Sequence, residues 1–324
     1  MAARLHPPYP PKQEIVDLRR LDPRDLADLL QEEVVAWRRE LDWDFEQSAD
    51  LVRRFVQLRA LNGSALLENG AVTGYVYYVL EENKALIGDL YVRREFRSAA
   101  REEWLLETAL EPVMASENVR RVECQLMMLS QDHKEPLARR KYLRAFERNF
   151  MRVNLKSSPL AEGRIRHPVF LERWSDHYQD AAARLIAGAY HAHIDSQIND
   201  QYRSVPGARR FLYNIVQYPG CGTFYRPASF AAFDVKSGQL CGVSLSSLVA
   251  AEAGHITQIC VSDEVRGSGV GYELLRRSLT CLRDAQCRTA SLTVTAANTG
   301  AVQLYERVGF ETLRRFSAYV WEGF

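Results

Sequence analysis

The chain has 324 residues, 47% hydrophobic and 26% charged, and its 42 Lys and Arg against 41 Asp and Glu leave a formal net charge of +1. That length suggests about two domains, the composition suits a globular core in each half, and the even charge excludes a bulk nucleic-acid footprint. Six cysteines without a Cys-x-x-Cys pair read as reduced thiols of a cytoplasmic protein, and the lack of a signal-peptide pattern or of an apolar run of about 18 residues predicts no export and no membrane insertion.

The opening MAARLHPPYPPKQE is proline-rich and reads as an arm without a core of its own. EIVDL then looks like a strand, and DPRDLADLLQEEVVAWRREL begins with a capping Asp and a Pro and keeps helical periodicity. A second helix is expected over SADLVRRFVQLRA, and GAVTGYVYYVLEE with ALIGDLYV predicts an antiparallel strand pair. REEWLLETALEPVMA predicts a helix, VRRVECQLM a strand, EPLARRKYLRAFERN another helix and FMRVNL a short strand. The polar stretch KSSPLAEGRIRH is the best linker candidate, dividing the chain into residues 1–155, a linker at 156–167 and residues 168–324.

Beyond the linker the order repeats. HPVFLERW predicts a strand, DHYQDAAARLIAGAYHA and GARRFLYNIVQ helices, and ASFAAFDV, LCGVSLSSLVA and HITQICV three strands. GYELLRRSLTCLRDA is helical, ASLTVTA a strand, AVQLYERV a helix and FETLRRFSAYVW a last strand. A shift of 169 positions lays Val92 on Val261, Arg97 on Arg266, and VRREFRSAAREEWLL on VSDEVRGSGVGYELL. With FERNF set against YERVGF after one deletion, two copies of one α/β (α+β) fold are expected.

The stretch VRGSGVGYELL puts Gly267, Gly269 and Gly271 on alternate positions between a strand and a helix. Such a turn leaves backbone N–H groups pointing outward at the positive end of the helix, a favourable place for phosphate. Glycine permits positive φ and close approach of a ligand, and Arg266 adds a full charge. A tight turn without a ligand is the plainer reading. A dinucleotide site of the Rossmann kind needs its glycines after the first strand of a parallel unit, whereas these follow a meander.

Arg266-Gly267-Ser268-Gly269-Val270-Gly271 fits the pattern Q/R-x-x-G-x-G/A, and with AANTGAVQLYERVGF downstream it resembles the GCN5-related N-acetyltransferase (GNAT) family. The resemblance covers the second half and, more weakly, the first. It implies two tandem GNAT folds, each a mixed, mostly antiparallel sheet with a splayed parallel strand pair, flanked by helices. It also implies acetyl-CoA as co-substrate, lying between HITQICV and ASLTVTA. By similarity, the backbone of Ile259, Cys260 and Val261 pairs with the pantetheine arm, the loop from Arg266 to Gly271, with Ser268 and Val270, holds the pyrophosphate, and Asn298 touches the cofactor. Read alone, Asn298 serves equally as the cap of the next helix. Tyr305 stands where the family keeps the acid that protonates the thiolate; alone it reads as a core aromatic.

Transfer to an amine also calls for a base. His255 lies on the strand ahead of the glycine loop, and strict alternation points His255, Thr257, Ile259 and Val261 to one face and Cys260 to the other. Glu252 and an ordered water are the other candidates, and Cys260 reads as packing rather than as a nucleophile. For the acceptor, AYHAHIDSQINDQYRSVPGARRF offers Tyr190, His191, His193, Asp195 and Tyr202, whose acid and rings suit a cationic amine of a small molecule or peptide. The same stretch reads equally as a solvated loop. His-x-His-x-Asp lacks the spacing of a further ligand, so no metal is expected.

In the first copy the loop reads Arg97-Ser98-Ala99-Ala100-Arg101-Glu102, with Glu102 for Gly271, Phe146 for Tyr305 and Leu86 for His255. A carboxylate at a helix start competes with phosphate for the same dipole. This copy is therefore expected to be degenerate and non-catalytic, acting as a structural partner, a wall of the substrate site or a regulatory pocket, although Arg97 and Arg101 leave open that both copies bind acyl-CoA. The tandem layout is similar to that of mycothiol synthase, with no motif assigning that substrate. The expectation is an N-acetyltransferase acting on a primary amine by direct attack in a ternary complex; the rival is a non-catalytic acyl-CoA sensor or interaction protein on the same fold.

Overall fold

The computed structural model describes residues 12–130, 137–218 and 220–324, so residues 1–11 of the proline-rich opening lie outside it. The chain forms two compact units: residues up to 36, 49–144 and 320–324 make the first, and residues 37–48 and 145–319 the second. The main boundary thus falls at 144 and 145, ahead of the stretch 156–167.

The first unit begins with strand β1 (Gln13–Asp17). Asp22 then accepts the N–H of Arg24 while the Asp25 carboxylate takes the N–H of Asp22, a reciprocal cap that starts the turn leading into helix α1 (Ala27–Leu41). Helix α2 (Glu46–Gln57), strands β2 (Asn62–Glu68), β3 (Ala71–Glu81) and β4 (Lys84–Val92), helix α3 (Ala99–Met114) and strand β5 (Arg121–Gln125) follow. The strands lie in the order β1-β2-β3-β4-β5. All neighbours are antiparallel except β4 and β5, whose parallel register runs only from Lys84↔Arg121 to Ile87↔Cys124.

Where the sequence predicts a helix over EPLARRKYLRAFERN, the described part is a short turn at Arg140–Tyr142 followed by strand β6 (Leu143–Asn154). The Leu, Arg, Ala and Glu of this stretch favour a helix, but pairing overrides propensity. Strand β6 runs antiparallel to the later strand β12 (Thr289–Thr295), from Thr289↔Asn154 to Thr295↔Arg148, and buries Phe150, Met151 and Val153. Phe146 therefore sits on a strand, and its expected equivalence with Tyr305 on a helix is lost.

The second unit continues with β7 (Val169–Arg173), α4 (Gln179–Ala189), α5 (Asp195–Ile198), α6 (Val205–Gln217), β8 (Thr223–Phe224), β9 (Phe230–Asp234), β10 (Leu240–Ala250), β11 (Ala253–Val261) and α7 (Val270–Asp284). After β12 come α8 (Thr299–Val308) and β13 (Glu311–Glu322). The order is β7-β9-β10-β11-β12-β6-β13, with β8 beside β10. One sheet face buries Leu275, Leu279, Leu282, Leu292 and Val294 beneath α7 and α8, and the other buries Val243 and Leu245 with Ala182, Ile186 and Leu212 of α4 and α6.

Two irregularities shape the site. Strands β11 and β12 are parallel and paired only from Ala253↔Thr289 to Ile256↔Leu292, yet β11 runs on to Val261 and β12 to Thr295, so the pair splays open. Leu245 faces Gln258 while Ser246 faces Ile256, which leaves Thr257 as an extra residue, its hydroxyl donating to the Leu245 carbonyl at 2.9 Å. This bulge overturns the simple alternation expected for β11. Ile256 ahead of it and Ile259 and Val261 beyond it all pack toward α7, whereas Cys260 packs toward α4 and α6. His255 thus shares a face with Cys260, opposite Ile259 and Val261. Among the described residues no helix is long and apolar enough to cross a membrane.

Candidate functional site

A cavity of about 680 Å³ occupies the splay. Ile259, Cys260 and Val261 line it from β11, Arg266, Gly267, Gly269 and Gly271 from the loop, and Asn298, Gly300, Ala301, Leu304 and Tyr305 from the α8 side; Tyr190 and His193 border it from the acceptor stretch. Most of the expected cofactor residues share this space, and of the five acceptor candidates Tyr190 and His193 do, whereas His191, Asp195 and Tyr202 do not line it.

Each glycine of the loop has its own reason. Gly267 and Gly269 have φ of 75° and 95°, in the left-handed region, where another residue costs roughly 1–2 kcal/mol. A Cβ on Gly269 would also lie 2.5 Å from the Arg164 carbonyl oxygen, whereas one on Gly267 would meet nothing within 4 Å. Gly271 differs: its φ is ordinary, and a Cβ there would only touch Val261 at 3.7 Å. The fold does not demand glycine at 271, and its bareness leaves the first turn of α7, whose N–H groups have no helical partner, uncovered at that position. Gly269 caps α7 without a side chain. Arg266 pairs with Asp263 at 2.5 Å. Ser268 turns its hydroxyl to the Val265 carbonyl and Val270 is buried against Val265 and Leu274, so neither side chain lines the cavity.

Tyr305 is buried on α8, and burial, reinforced by Asp195 and Cys260, pushes its hydroxyl well above the usual phenol range. It stays protonated and able to donate. Asn298 does both things the sequence allows: Oδ1 accepts the Ala301 N–H at 3.4 Å to cap α8, and Nδ2 lies 3.2 Å from His193 Nε2 at the cavity edge. Burial pushes the Cys260 thiol up to about 12, which keeps it from acting as a thiolate.

Neither base candidate on or beside β11 reaches the cavity. His255 is buried between the rings of Trp43 and Phe150, with centroids 5.1 and 6.1 Å away, and its Nδ1 is 2.9 Å from Ser291 Oγ. Burial drops its pKa to about 3, so it is a neutral core histidine. Glu252 lies in the turn before β11, at the opposite end of that strand from Val261, exposed and paired with Arg288 at 2.5 Å.

The acceptor stretch is built, not loose. Tyr190 and Tyr202 stack at 4.6 Å, and Gln258, the residue after the bulge, donates from Nε2 to Tyr190 Oη at 3.1 Å and accepts from Tyr202 Oη at 3.4 Å. Burial first, and then neighbouring groups that include Asp195, push both phenols up. The Asp195 N–H donates to His193 Nδ1 at 3.2 Å; its carboxylate accepts from the Thr295 hydroxyl and lies 3.7 Å from Arg148 Nη1. His191 is exposed and outside the cavity. Gln258, Thr295 and Arg148 escaped the sequence reading. Only the place of Thr295 at the end of an alternating strand gave a signal, while Arg148 arrives through β6, ahead of the linker.

Residues 194–310 match the Acetyltransferase (GNAT) family. A mycothiol acetyltransferase of Mycolicibacterium vanbaalenii is 34% identical over 102 residues, 29% of this chain and 33% of that protein. The chain spans about a third of the length of the curated relatives it matches. A GCN5-related N-acetyltransferase from Sphaerobacter thermophilus superposes with a TM-score of 0.69 at 16% identity, covering 96% of this chain and 95% of that one. A tandem GNAT protein from the clavulanic acid biosynthesis pathway gives 0.63 at 17%, covering 96% and 98%. At such identities the likeness is one of fold, and it spans both halves of the chain. Residues 194–310 thus carry the sequence pattern of the GNAT acetyltransferase family, and nearly the whole chain shares the fold of solved GNAT proteins, a tandem one among them.

Proposed function

We propose that the second unit transfers an acetyl group from acetyl-CoA to a primary amine, of a small molecule or a peptide, by direct attack in a ternary complex. The observation that carries this reading is one cavity joining the glycine loop, the open edge of β11 and Tyr305 at the splay. The diphosphate would rest on the N–H groups from Gly267 to Gly271, and the pantetheine arm would pair along Ile259–Val261, where β12 has turned away. A β11 N–H aimed at the thioester oxygen stabilises the developing oxyanion.

The amine would enter beside Tyr190 and His193, which border the cavity, with Tyr202 stacked on Tyr190 and Asp195 joined to His193. His193, the imidazole in the cavity lining, is the base of this proposal in place of His255, since imidazole is the commonest general base. A primary amine arrives as an ammonium, so His193 first takes one proton from it and passes that proton to solvent; the neutral nitrogen then attacks the carbonyl carbon and gives its second proton to His193. The C–N bond forms, the tetrahedral intermediate collapses, the C–S bond breaks, and Tyr305 delivers its proton to sulfur; solvent returns the proton from His193 to Tyr305. Six free cysteines suit a reducing compartment, so we place the reaction in the cytoplasm.

The test is a panel of small amines and peptides incubated with purified protein and acetyl-CoA, read as free thiol released. Acceptor-dependent release supports the enzyme. Tight binding of acetyl-CoA without release for any acceptor favours the sensor.

A further inference from the structure

We infer that the stretch preceding β7 supplies a second phosphate subsite, in which Arg164 and Arg307 hold the 3′-phosphate of coenzyme A. This rests on the acetyl-CoA reading of the cavity. The charged lining consists of three guanidinium groups, those of Arg164, Arg266 and Arg307, and no carboxylate. Arg266 stands at the glycine loop and is already paired with Asp263. Among the described residues, neither Arg164 nor Arg307 has a carboxylate in salt-bridge reach, so two cations face the cavity uncompensated.

Coenzyme A presents two separate anionic groups, a diphosphate and a phosphomonoester, and the latter carries a charge of about −1.5 to −2. The glycine loop and α7 provide for one. Two free guanidiniums match the other, because their planar forks suit phosphate oxygens.

The stretch carrying Arg164 is pinned on both sides. Tyr272 Oη donates to the Ala161 carbonyl at 2.5 Å, and the Arg166 N–H donates to the Ser268 carbonyl at 2.8 Å. Between them Gly163 lies flat on Tyr272, where a Cβ would come within 2.5 Å of the ring, and the Arg164 carbonyl packs on Gly269. The sequence expected a spacer here. The structure has a strap fixed against the first turn of α7, presenting one arginine to the cavity.

The experiment is calorimetric titration of the full chain with coenzyme A and with 3′-dephospho-coenzyme A. The parent should prefer the phosphorylated ligand by about tenfold or more. Arg164→Ala and Arg307→Ala should each erode that preference several-fold while leaving affinity for the dephospho ligand unchanged, and Arg266→Ala should weaken both ligands alike. Gly163→Val, which drives the strap off Tyr272 with the guanidinium intact, should reproduce Arg164→Ala. Equal parental affinity for the two ligands overturns the inference. So does parallel loss of both in the Arg164 and Arg307 variants, which would assign these arginines to the diphosphate. A parent that binds neither ligand strikes the cofactor reading itself, and the subsite with it.

Discussion

The two units lay out the same apparatus and differ in whether it is open. Shifted by 169 positions, β4 (Lys84–Val92) falls on β11 (Ala253–Val261) and β5 on the middle of β12. Both parallel pairs stay together for four positions and then part. Even the bulge recurs: Tyr77 faces Asp89 and Tyr78 faces Ile87, so Gly88 is the extra residue where the second unit has Thr257.

The loops that follow diverge. In the first unit Arg97 turns back onto the Val92 carbonyl, with Nε and Nη2 at 3.2 and 3.1 Å, and lies over the Tyr91 ring at 5.0 Å. Glu102, buried in the first turn of α3, accepts the Ser130 N–H at 3.0 Å with Arg97 3.9 Å away. Arg101 binds the Phe96 carbonyl and Glu68. The arginines that left cofactor binding open are thus spent on the protein itself, and the place for a phosphate holds a carboxylate. A splayed strand pair is a property of the fold; a cofactor site needs, in addition, a bare loop.

Four experiments break or sharpen this contrast. Tyr305→Phe should lower kcat by about 100-fold or more while acetyl-CoA affinity holds, since it removes the proton donor of the proposed reaction and leaves the ring in place. Gly271→Glu copies Glu102 into the open loop; acetyl-CoA binding by calorimetry should weaken by at least about tenfold with little change in Tm, because a Cβ at 271 meets no obstacle. No second class of binding site should then appear, and one that did would show the first unit to be open after all.

His255→Gln should leave kcat within about threefold of the parent, as expected for a residue outside the cavity. Its effect lies in stability. With a folded pKa of about 3 against an ordinary 6.5, His255 takes up a proton in the unfolded chain first, so stability should fall as pH drops from 6.5 towards 3. Thermal melts across that window should show a shallower decline in the variant. Glu252→Ala, which removes only an exposed ion pair, should shift stability by less than about 1 kcal/mol and leave turnover unchanged.

The doubled fold, the turn at the glycine loop and the cap at Asn298 were legible because each rests on local signals, namely alternation, glycines at positive φ and an Asn before a helix. The errors share a different cause. Leu143–Asn154 has helix-forming residues and becomes a strand only because β12, more than a hundred residues away, offers it an edge. The side on which His255 lies depends on one inserted residue opposite β10, and a period of two cannot reveal a bulge. Strand β2, inside ALNGSALLENG, is masked by Asn and Gly at both ends. Arg148 and Thr295 became neighbours of Asp195 through cross-strand pairing, which leaves no trace in spacing along the chain.

The placement of β6 limits how this gene can be cut. A fragment starting at residue 168 would expose a naked β12 edge, an invitation to aggregate. One ending at residue 155 would be missing the stretch 320–324 that completes the first unit. On the ribosome, that unit lacks residues 320–324 until the rest of the second has been made. Recombination that shuffled either copy alone would yield two incomplete sheets, which ties each half to the other.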